Sequence, residues 1–287
     1  MKFLMWMMRA GVICLLLAVL FSFAGALHPA FDSLSLLRVP LAVICLLFLV
    51  FPLGARLRLM LAACVMLGAG TTVPMFFGAK AADDLRIYSK NMWFANRTLD
   101  ALAADIRASG ADVVALQEVS RGNRAMLAAL RDAYPYQHIC DFSGWSGIAV
   151  LSRDPIVQTQ CSDRRAVAAA RIESTQGPVW VASVHLSWPF PYGNARTGAA
   201  AADILARLDG PVVMAGDFNI FPWASSVQGM QRAAALQVAQ PIRPTYDLQG
   251  VPLLLDHVHA PGGGRATYRA LLGSDHLGVL ADVSLTR

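Results

Sequence analysis

Asp217 and Asn219 stand two residues apart in GDFN, after the apolar run Val212 to Ala215. A short apolar run bounded by glycine and proline reads as a buried strand. Residues two apart leave a strand on the same side, so a carboxylate and a carboxamide should emerge together at its end. A simple turn is the competing explanation, since both residues favour turns. The same placement recurs along the chain: Asn91, Glu118, His185, Asp256 and the pair Asp275–His276 also stand where apolar segments stop. Singly, each has a plain reading as a turn residue, an acid paired with an arginine, a hydrogen-bonded core histidine or a strand cap. Together they bring acids, amides and imidazoles to element ends, where a rigid scaffold aims functional groups. Carboxylate and amide oxygens suit a hard cation such as Mg²⁺ or Mn²⁺, and imidazole suits proton transfer near neutral pH.

The elements that must position these groups alternate between strand and helix patterns. LRIYSKNM, ADVVALQEV, GIAVLSRDP, AVAAARIE and VWVASVHLS read as strands, and LLLDHVHA, ATYRALL and LGVLADVSL complete a strand-rich C-terminal half. TLDALAADIRASG carries Leu99, Leu102, Ala103 and Ile106 on one face and ends at Gly110, as a helix should. NRAMLAALRDA and ARTGAAAADILARL also read as helices. Such mixed segments imply layered α/β or α+β packing.

The chain is 56% hydrophobic over 287 residues, more apolar than an ordinary soluble protein. The excess lies before Lys80, where Asp32 is the one acidic residue. Three stretches, at about 10–27, 39–55 and 59–78, are expected to be transmembrane helices, making 1–80 a membrane anchor and 81–287 a single further domain. A cleaved signal peptide competes for the first stretch, but two more apolar stretches follow it directly. Lys2 and Arg9 precede the first span, and Arg56 and Arg58 lie between the second and third. The positive-inside rule then places the N-terminus in the cytoplasm and the domain after Lys80 on the far side. In a bacterium this is a multi-pass inner-membrane protein with a periplasmic domain. From Lys80 onward there are 19 basic and 18 acidic residues, so the domain lacks the basic stripe usual in nucleic-acid binders. Cys140 and Cys161 fall in this domain, where an oxidising compartment would permit either a disulfide or two buried thiols.

The order and local context of SKNM, ALQEV, SVHLS, GDFN, LLDHV and GSDHLGV resemble the endonuclease/exonuclease/phosphatase superfamily over about residues 85 to 285. GDFN followed by LDHV and SDH, with the upstream QE, is a specific combination. The spans lie outside it and resemble a subgroup of bacterial membrane-anchored members. The resemblance implies a four-layer α/β (α+β) sandwich, two mixed β-sheets flanked by helices, with the site at one edge. It also implies roles. Glu118 resembles the principal Mg²⁺ (or Mn²⁺) ligand, with Asn91 beside it and Asp275 contributing directly or through water. His276 resembles the base for the attacking water, or else a phosphate ligand, and Asp256 the carboxylate that orients it. Asp217 and Asn219 resemble the pair that positions water and phosphoryl oxygens, with Asn219 expected as a neutral donor. His185 resembles the imidazole that stabilises the transition state or protonates the leaving oxygen.

The expected activity is metal- and His-assisted hydrolysis of a phosphoester or phosphodiester. The substrate candidates are a phospholipid headgroup, a small phosphoester or nucleic acid. The near-neutral domain and its tether favour the first two over an extracytoplasmic nuclease. A catalytically inactive, membrane-anchored binding protein is the alternative of another class, and it predicts missing site residues. None of the expected positions is missing.

Overall fold

The computed structural model describes residues 2–78 and 82–286. The expected boundary at residues 80 and 81 lies outside the described residues. The N-terminal part comprises α1 (Lys2–Phe21), α2 (Pro29–Leu34), α3 (Arg38–Phe48) and α4 (Ala55–Thr72). A 3-10 turn at Ser35–Leu37 joins α2 to α3, and another at Val73–Phe76 extends α4. Three stretches are long and apolar enough to cross a membrane: Phe3–Phe21, Pro29–Phe48 and Ala55–Phe76.

These limits correct the expected ones. The first helix begins earlier, because Phe3 to Met8 are already apolar and the exposed Arg9 does not interrupt it. It ends earlier too, in turns between Ser22 and Leu27. Gly25 lies in these turns, where a Cβ would come within 2.4 Å of Asp32 Oδ1 and 2.5 Å of Ser225 Oγ. The second begins at Pro29, a residue preorganised for a first helical turn. It stops at Phe48 rather than near residue 55. The third starts at Ala55, because Arg56 and Arg58 lie within the helix rather than before it.

The rest of the chain builds two six-stranded sheets. The strands of the first half are β1 (Leu85–Asn91), β2 (Val113–Val119), β3 (Tyr136–Cys140), β4 (Gly147–Ser152), β5 (Ile156–Cys161), β6 (Val167–Ser174) and β7 (Gly177–His185). Those of the second half are β8 (Val212–Asp217), β9 (Gln237–Val238), β10 (Tyr246–Leu248), β11 (Val251–Leu253), β12 (Asp256–Ala260), β13 (Gly264–Arg269) and β14 (Gly278–Val283). One sheet has the order β13-β14-β1-β2-β4-β3, the other β5-β6-β7-β8-β12-β9, and β10 with β11 forms a separate ribbon. Each sheet contains one parallel pair, β1 with β2 and β7 with β8, among antiparallel neighbours.

Apolar residues of both sheets, among them Ile87, Ala115, Val181, Val213 and Ala281, form the core between them. The outer face of the first sheet is covered by α5 (Leu99–Ala108) and α6 (Ala125–Ala129) through Leu102, Ile106 and Leu127. The outer face of the second is covered by α7 (Asn194–Leu205) and α8 (Ser225–Ala234) through Ile204, Val227 and Met230. This is the expected four-layer sandwich. A disulfide, Cys140–Cys161, joins the edge strands β3 and β5 and so links the two sheets.

The N-terminal helices are docked on the domain. Asp32 is buried and accepts hydrogen bonds from Ser225 N (2.6 Å) and Ser226 N (3.1 Å) at the start of α8. Trp223 Nε1 donates to Ser35 O (2.8 Å), and Ile242 N donates to Met75 O (2.9 Å). Leu36, Val39, Met75 and Phe76 pack on a cluster that includes Phe221, Trp223 and Ile242.

Candidate active site

Parallel pairing brings the C-terminal ends of β1, β2, β7 and β8 to one edge of the sandwich. Those ends carry Asn91, Glu118, His185 and Asp217. Register sets His185 beside Asp217, and Asp217 beside Asp256 at the start of antiparallel β12. The loop before β14 supplies His276. The glycine of GDFN is explained by close approach: a Cβ on Gly216 would lie 1.9 Å from Val184 O.

Two site residues hold left-handed backbone, Glu118 (φ 56°) and Asn219 (φ 52°). For a glutamate this conformation costs roughly 1–2 kcal/mol. The neighbouring irregularity of the β2–β4 register lies between Leu116 and Val119. Gln117 points between the sheets and donates to Ser183 Oγ (2.9 Å), and the displaced backbone aims Glu118 outward instead. Asn123 Nδ2 on Glu118 O (2.9 Å) and Phe94 N on Glu118 Oε2 (3.0 Å) hold it there.

Asp217 is the centre of the cluster. Its Oδ1 accepts from Asn219 N (2.8 Å), and its Oδ2 accepts from Asn91 Nδ2 (3.0 Å) and Asn219 Nδ2 (3.1 Å). His185 Nε2 lies 3.6 Å from that Oδ2, and His276 Nε2 lies 3.9 Å from it. Burial raises the Asp217 carboxyl to about 7, with the His276 cation opposing and Asp256 reinforcing the rise. A carboxylate needs such an environment to accept a proton near neutrality.

His276 Nδ1 donates to Asp256 Oδ2 (2.7 Å), which fixes the tautomer and leaves Nε2 facing Asp217. Burial disfavours its imidazolium, but Asp256 and Asp217 outweigh that and raise it to about 10. His185 is fully buried and its pKa falls well below the ordinary value through burial, with Arg165 and His276 adding to the fall. One imidazole is thus poised as a cation and the other as a neutral ring. His257, by contrast, is a core histidine, with Nε2 on Leu254 O (2.8 Å).

The donor set fits a hard cation at Glu118. Its side chain is partly exposed at the site edge, and each of its oxygens accepts one hydrogen bond, from Asn91 Nδ2 (3.1 Å) and Phe94 N (3.0 Å). Asn219 Oδ1 is buried without a partner, a free oxygen at the same cluster. This reverses its expected polarity. Asn219 Nδ2 is spent on Leu186 O (3.0 Å) and Asp217, so the side chain offers an acceptor, not a donor. Asn91 stands beside Glu118 with both ends of its amide engaged. Trp93 N donates to its Oδ1 (2.9 Å), and its nitrogen bridges Glu118 and Asp217. Asp275 is exposed, with no hydrogen bond from its side chain among the described residues. Its charge still reaches His276 and Tyr246. Asp217, Asp256 and His276 bring ligand atoms within 4.8 Å of one another, but their hydrogen bonds mark a proton-handling group. His138, Cys140 and Cys161 also cluster, with both sulfurs committed to the disulfide.

Three residues complete the site beyond those read from the strand ends. Lys90 is buried, and its Nζ donates to Ala270 O (3.1 Å), Leu271 O (2.8 Å) and His276 O (2.5 Å), holding the loop that bears His276. Tyr246 lies with its ring 4.7 Å from that of His276. Arg165 is near enough for Asp217 and Glu118 to act on its charge. The sequence marks Arg165 only as a neighbour of Arg164, the one pair of adjacent basic residues after Lys80. Tyr246 and Lys90 had no local signal, because long-range packing makes their roles.

The model of the endonuclease/exonuclease/phosphatase family matches residues 88–276, which holds every site residue named above. The chain belongs to that family. The family covers metal-dependent phosphoester hydrolases such as nucleases and phosphodiesterases. No curated protein matches the sequence. Among solved structures, TDP2 from Caenorhabditis elegans is similar at 16% identity and TM-score 0.56, covering 69% of this chain and 96% of its own. An endonuclease/exonuclease/phosphatase protein from Beutenbergia cavernae is similar at 23% identity and TM-score 0.54, covering 71% of this chain and 72% of its own. A beta toxin variant from Staphylococcus aureus, solved with bound magnesium ions, shares 17% identity at TM-score 0.52, covering 70% of this chain and 100% of its own. At these identities the likeness is one of fold. The family's two-sheet core matches the expected architecture, and the N-terminal helices add to it.

Proposed function

We propose that the protein is a membrane-anchored, divalent-metal-dependent hydrolase that cleaves a phosphoester or phosphodiester by attack of water. The observation that carries this reading is the convergence on Asp217: Asn91, His185, Asn219 and His276 all place nitrogen atoms within 3.9 Å of its carboxylate.

A divalent cation held by Glu118, with Asp275 and Asn219 as further oxygen donors, would neutralise charge on phosphoryl oxygens. The chain's own residues do the rest. Asp217, near neutrality, takes the proton of the attacking water, and Asn219 and Asn91 fix the carboxylate that receives it. His276 enters as the cation held by Asp256 and donates from Nε2 to a phosphoryl oxygen. The neutral His185 stabilises developing charge by hydrogen bonding. Of the two roles expected for His276, its raised pKa supports phosphate binding, and the buried carboxyl of Asp217 becomes the base.

The docking contacts support the proposed topology. Asp32 and Ser35 lie in the first turns of the second apolar stretch, and Met75 lies at the end of the third. All three touch the C-terminal domain, which supports a reading in which the start of the second stretch and the end of the third face the same side of the membrane as that domain. The positively charged second loop is left at the opposite end, where the cytoplasm is expected. A phosphoester at or near the membrane surface fits this placement better than free nucleic acid. The test is hydrolysis by the full chain of phospholipids, small phosphoesters, DNA and RNA, with Mg²⁺ or Mn²⁺ and then EDTA. Turnover that EDTA abolishes and metal restores is expected. Turnover indifferent to EDTA would overturn the reading.

A further inference from the structure

A cavity of about 220 Å³ is lined by Arg164, Arg165, Ser187, Tyr192, Arg196 and Thr197, with Gly193 at its wall. It adjoins the catalytic edge, because Ser187 follows His185 by two residues and the charge of Arg165 reaches Asp217, Glu118 and His185. Three arginines therefore line one small space. Elsewhere in the domain, Arg86, Arg107, Arg124, Arg171 and Arg269 are each ion-paired with an aspartate. Among the described residues, Arg164, Arg165 and Arg196 have no such partner. Asp163 and Asp203 line the adjoining cavity, which shares Arg164, and Asp217 and Glu118 act on the charge of Arg165 from the catalytic edge.

Unpaired arginines on open surface are ordinary, since water screens them. Three arginines lining one recess are less so, because like charges brought together repel and an anion between them relieves the repulsion. Arg165 is half-buried, with its guanidinium 5.8 Å from the Trp145 ring centroid, so it is held rather than splayed into solvent. The wall also contains the start of the 12-residue helix α7, whose Gly193 cap provides no side-chain hydrogen bond. Helix starts carry partial positive charge and favour anions. Planar guanidinium groups suit phosphate oxygens in particular.

We infer that Arg164, Arg165 and Arg196 form an accessory phosphate subsite, which binds a second phosphate of the substrate while the first lies at Asp217. This rests on the phosphohydrolase reading and narrows it to substrates bearing two phosphates. The subsite would serve a two-phosphate lipid headgroup or a nucleotide equally, because the arginines read the phosphate.

The test uses the full chain in detergent micelles and two matched substrate pairs. One pair is a nitrophenyl ester of thymidylate with and without a second phosphate on the free sugar hydroxyl. The other is cardiolipin and phosphatidylglycerol. A preference in kcat/KM of roughly 10- to 100-fold for the two-phosphate member of at least one pair is expected, the range for a charge-assisted contact. That preference should collapse toward unity in Arg165→Ala and in the double variant Arg164→Ala/Arg196→Ala. It should survive in Arg207→Ala, outside the cavity. The pair that shows it identifies the source of the phosphate. Equal rates within both pairs for wild type, or a preference untouched by the arginine changes, overturns the subsite. If no substrate is cleaved, the phosphohydrolase reading has failed. Calorimetry with pyrophosphate and inorganic phosphate then decides the subsite: tighter pyrophosphate binding that the arginine variants lose supports it, and equal binding refutes it.

Discussion

Asp217 touches Asn91 and Asn219 by hydrogen bonds and approaches both site histidines. Asp217→Asn keeps the volume and removes the proton acceptor. Turnover should fall about 10²–10⁴-fold with the melting temperature little changed, as is usual on loss of an acid–base group. Rates beside melting curves check this, and full activity in the variant would return GDFN to a simple turn. Glu118→Gln should raise the metal concentration needed for half-maximal rate more than Asp217→Asn does, because it removes the charge that faces a cation. A metal titration of both variants separates them. The residue types at this edge were legible in the sequence because each ends an apolar run. Their polarity was not. Asn219 presents oxygen only because Leu186 O and Asp217 occupy its nitrogen, and neither contact has a local sequence signal.

At the scale of elements, α8 begins against a residue from α2, in the first turns of the second apolar stretch. Asp32 occupies the place of its cap, accepting from Ser225 N and Ser226 N. Asp32→Ala should cost about 0.5–2 kcal/mol, the range for losing a cap, measured by thermal unfolding in detergent. Strand β12 carries a second test. Burial lowers His257 to about 4, below its ordinary value near 6.5. An unfolded chain then binds more protons than the folded one between those values. The contribution of His257 is therefore intact above about pH 6.5 and lost as pH falls toward 4, by about 3 kcal/mol in all. Asp217, whose folded pKa is raised, acts in the opposite sense, so the comparison must be between wild type and His257→Leu. The difference in unfolding free energy should change across that window and level off above it. A constant difference would mean that His257 is not held neutral by burial. The strands with strong apolar patterns, such as β2, β7 and β8, were readable in advance. β3 and β5 were not, because their exposed, polar faces lack the pattern that marks a buried strand. The same edges carry Cys140 and Cys161. Their link spans 21 residues of sequence separation and should contribute roughly 3 kcal/mol in the chain-entropy view, which Cys161→Ser and unfolding in detergent would measure.

Over the whole molecule, helices and domain share a cluster in which Trp223 is 1% exposed. A chain started at residue 82 would uncover Phe221, Trp223 and Ile242, so it should melt lower and self-associate relative to the full chain, as size-exclusion chromatography and melting curves would report. Activity reporters fused after Arg56 and at the C-terminus should respond on opposite sides of the membrane, and a cytoplasmic signal from the C-terminal fusion would contradict the proposed orientation. Apolar length made the long N-terminal helices foreseeable, whereas their seating on the domain depends on contacts across nearly 200 residues, such as Asp32 with Ser226 at a separation of 194. That seating has a kinetic consequence. In the proposed membrane-anchored protein, Trp223 and Met75 clamp the domain onto its own helices and would hold the distance from the bilayer to His276 constant. For a lipid phosphoester, encounter becomes a search in two dimensions, in which substrate counts per unit area and not per unit volume. Diluting the substrate with inert lipid should slow each enzyme in proportion, while adding more vesicles of the same composition should leave its rate unchanged.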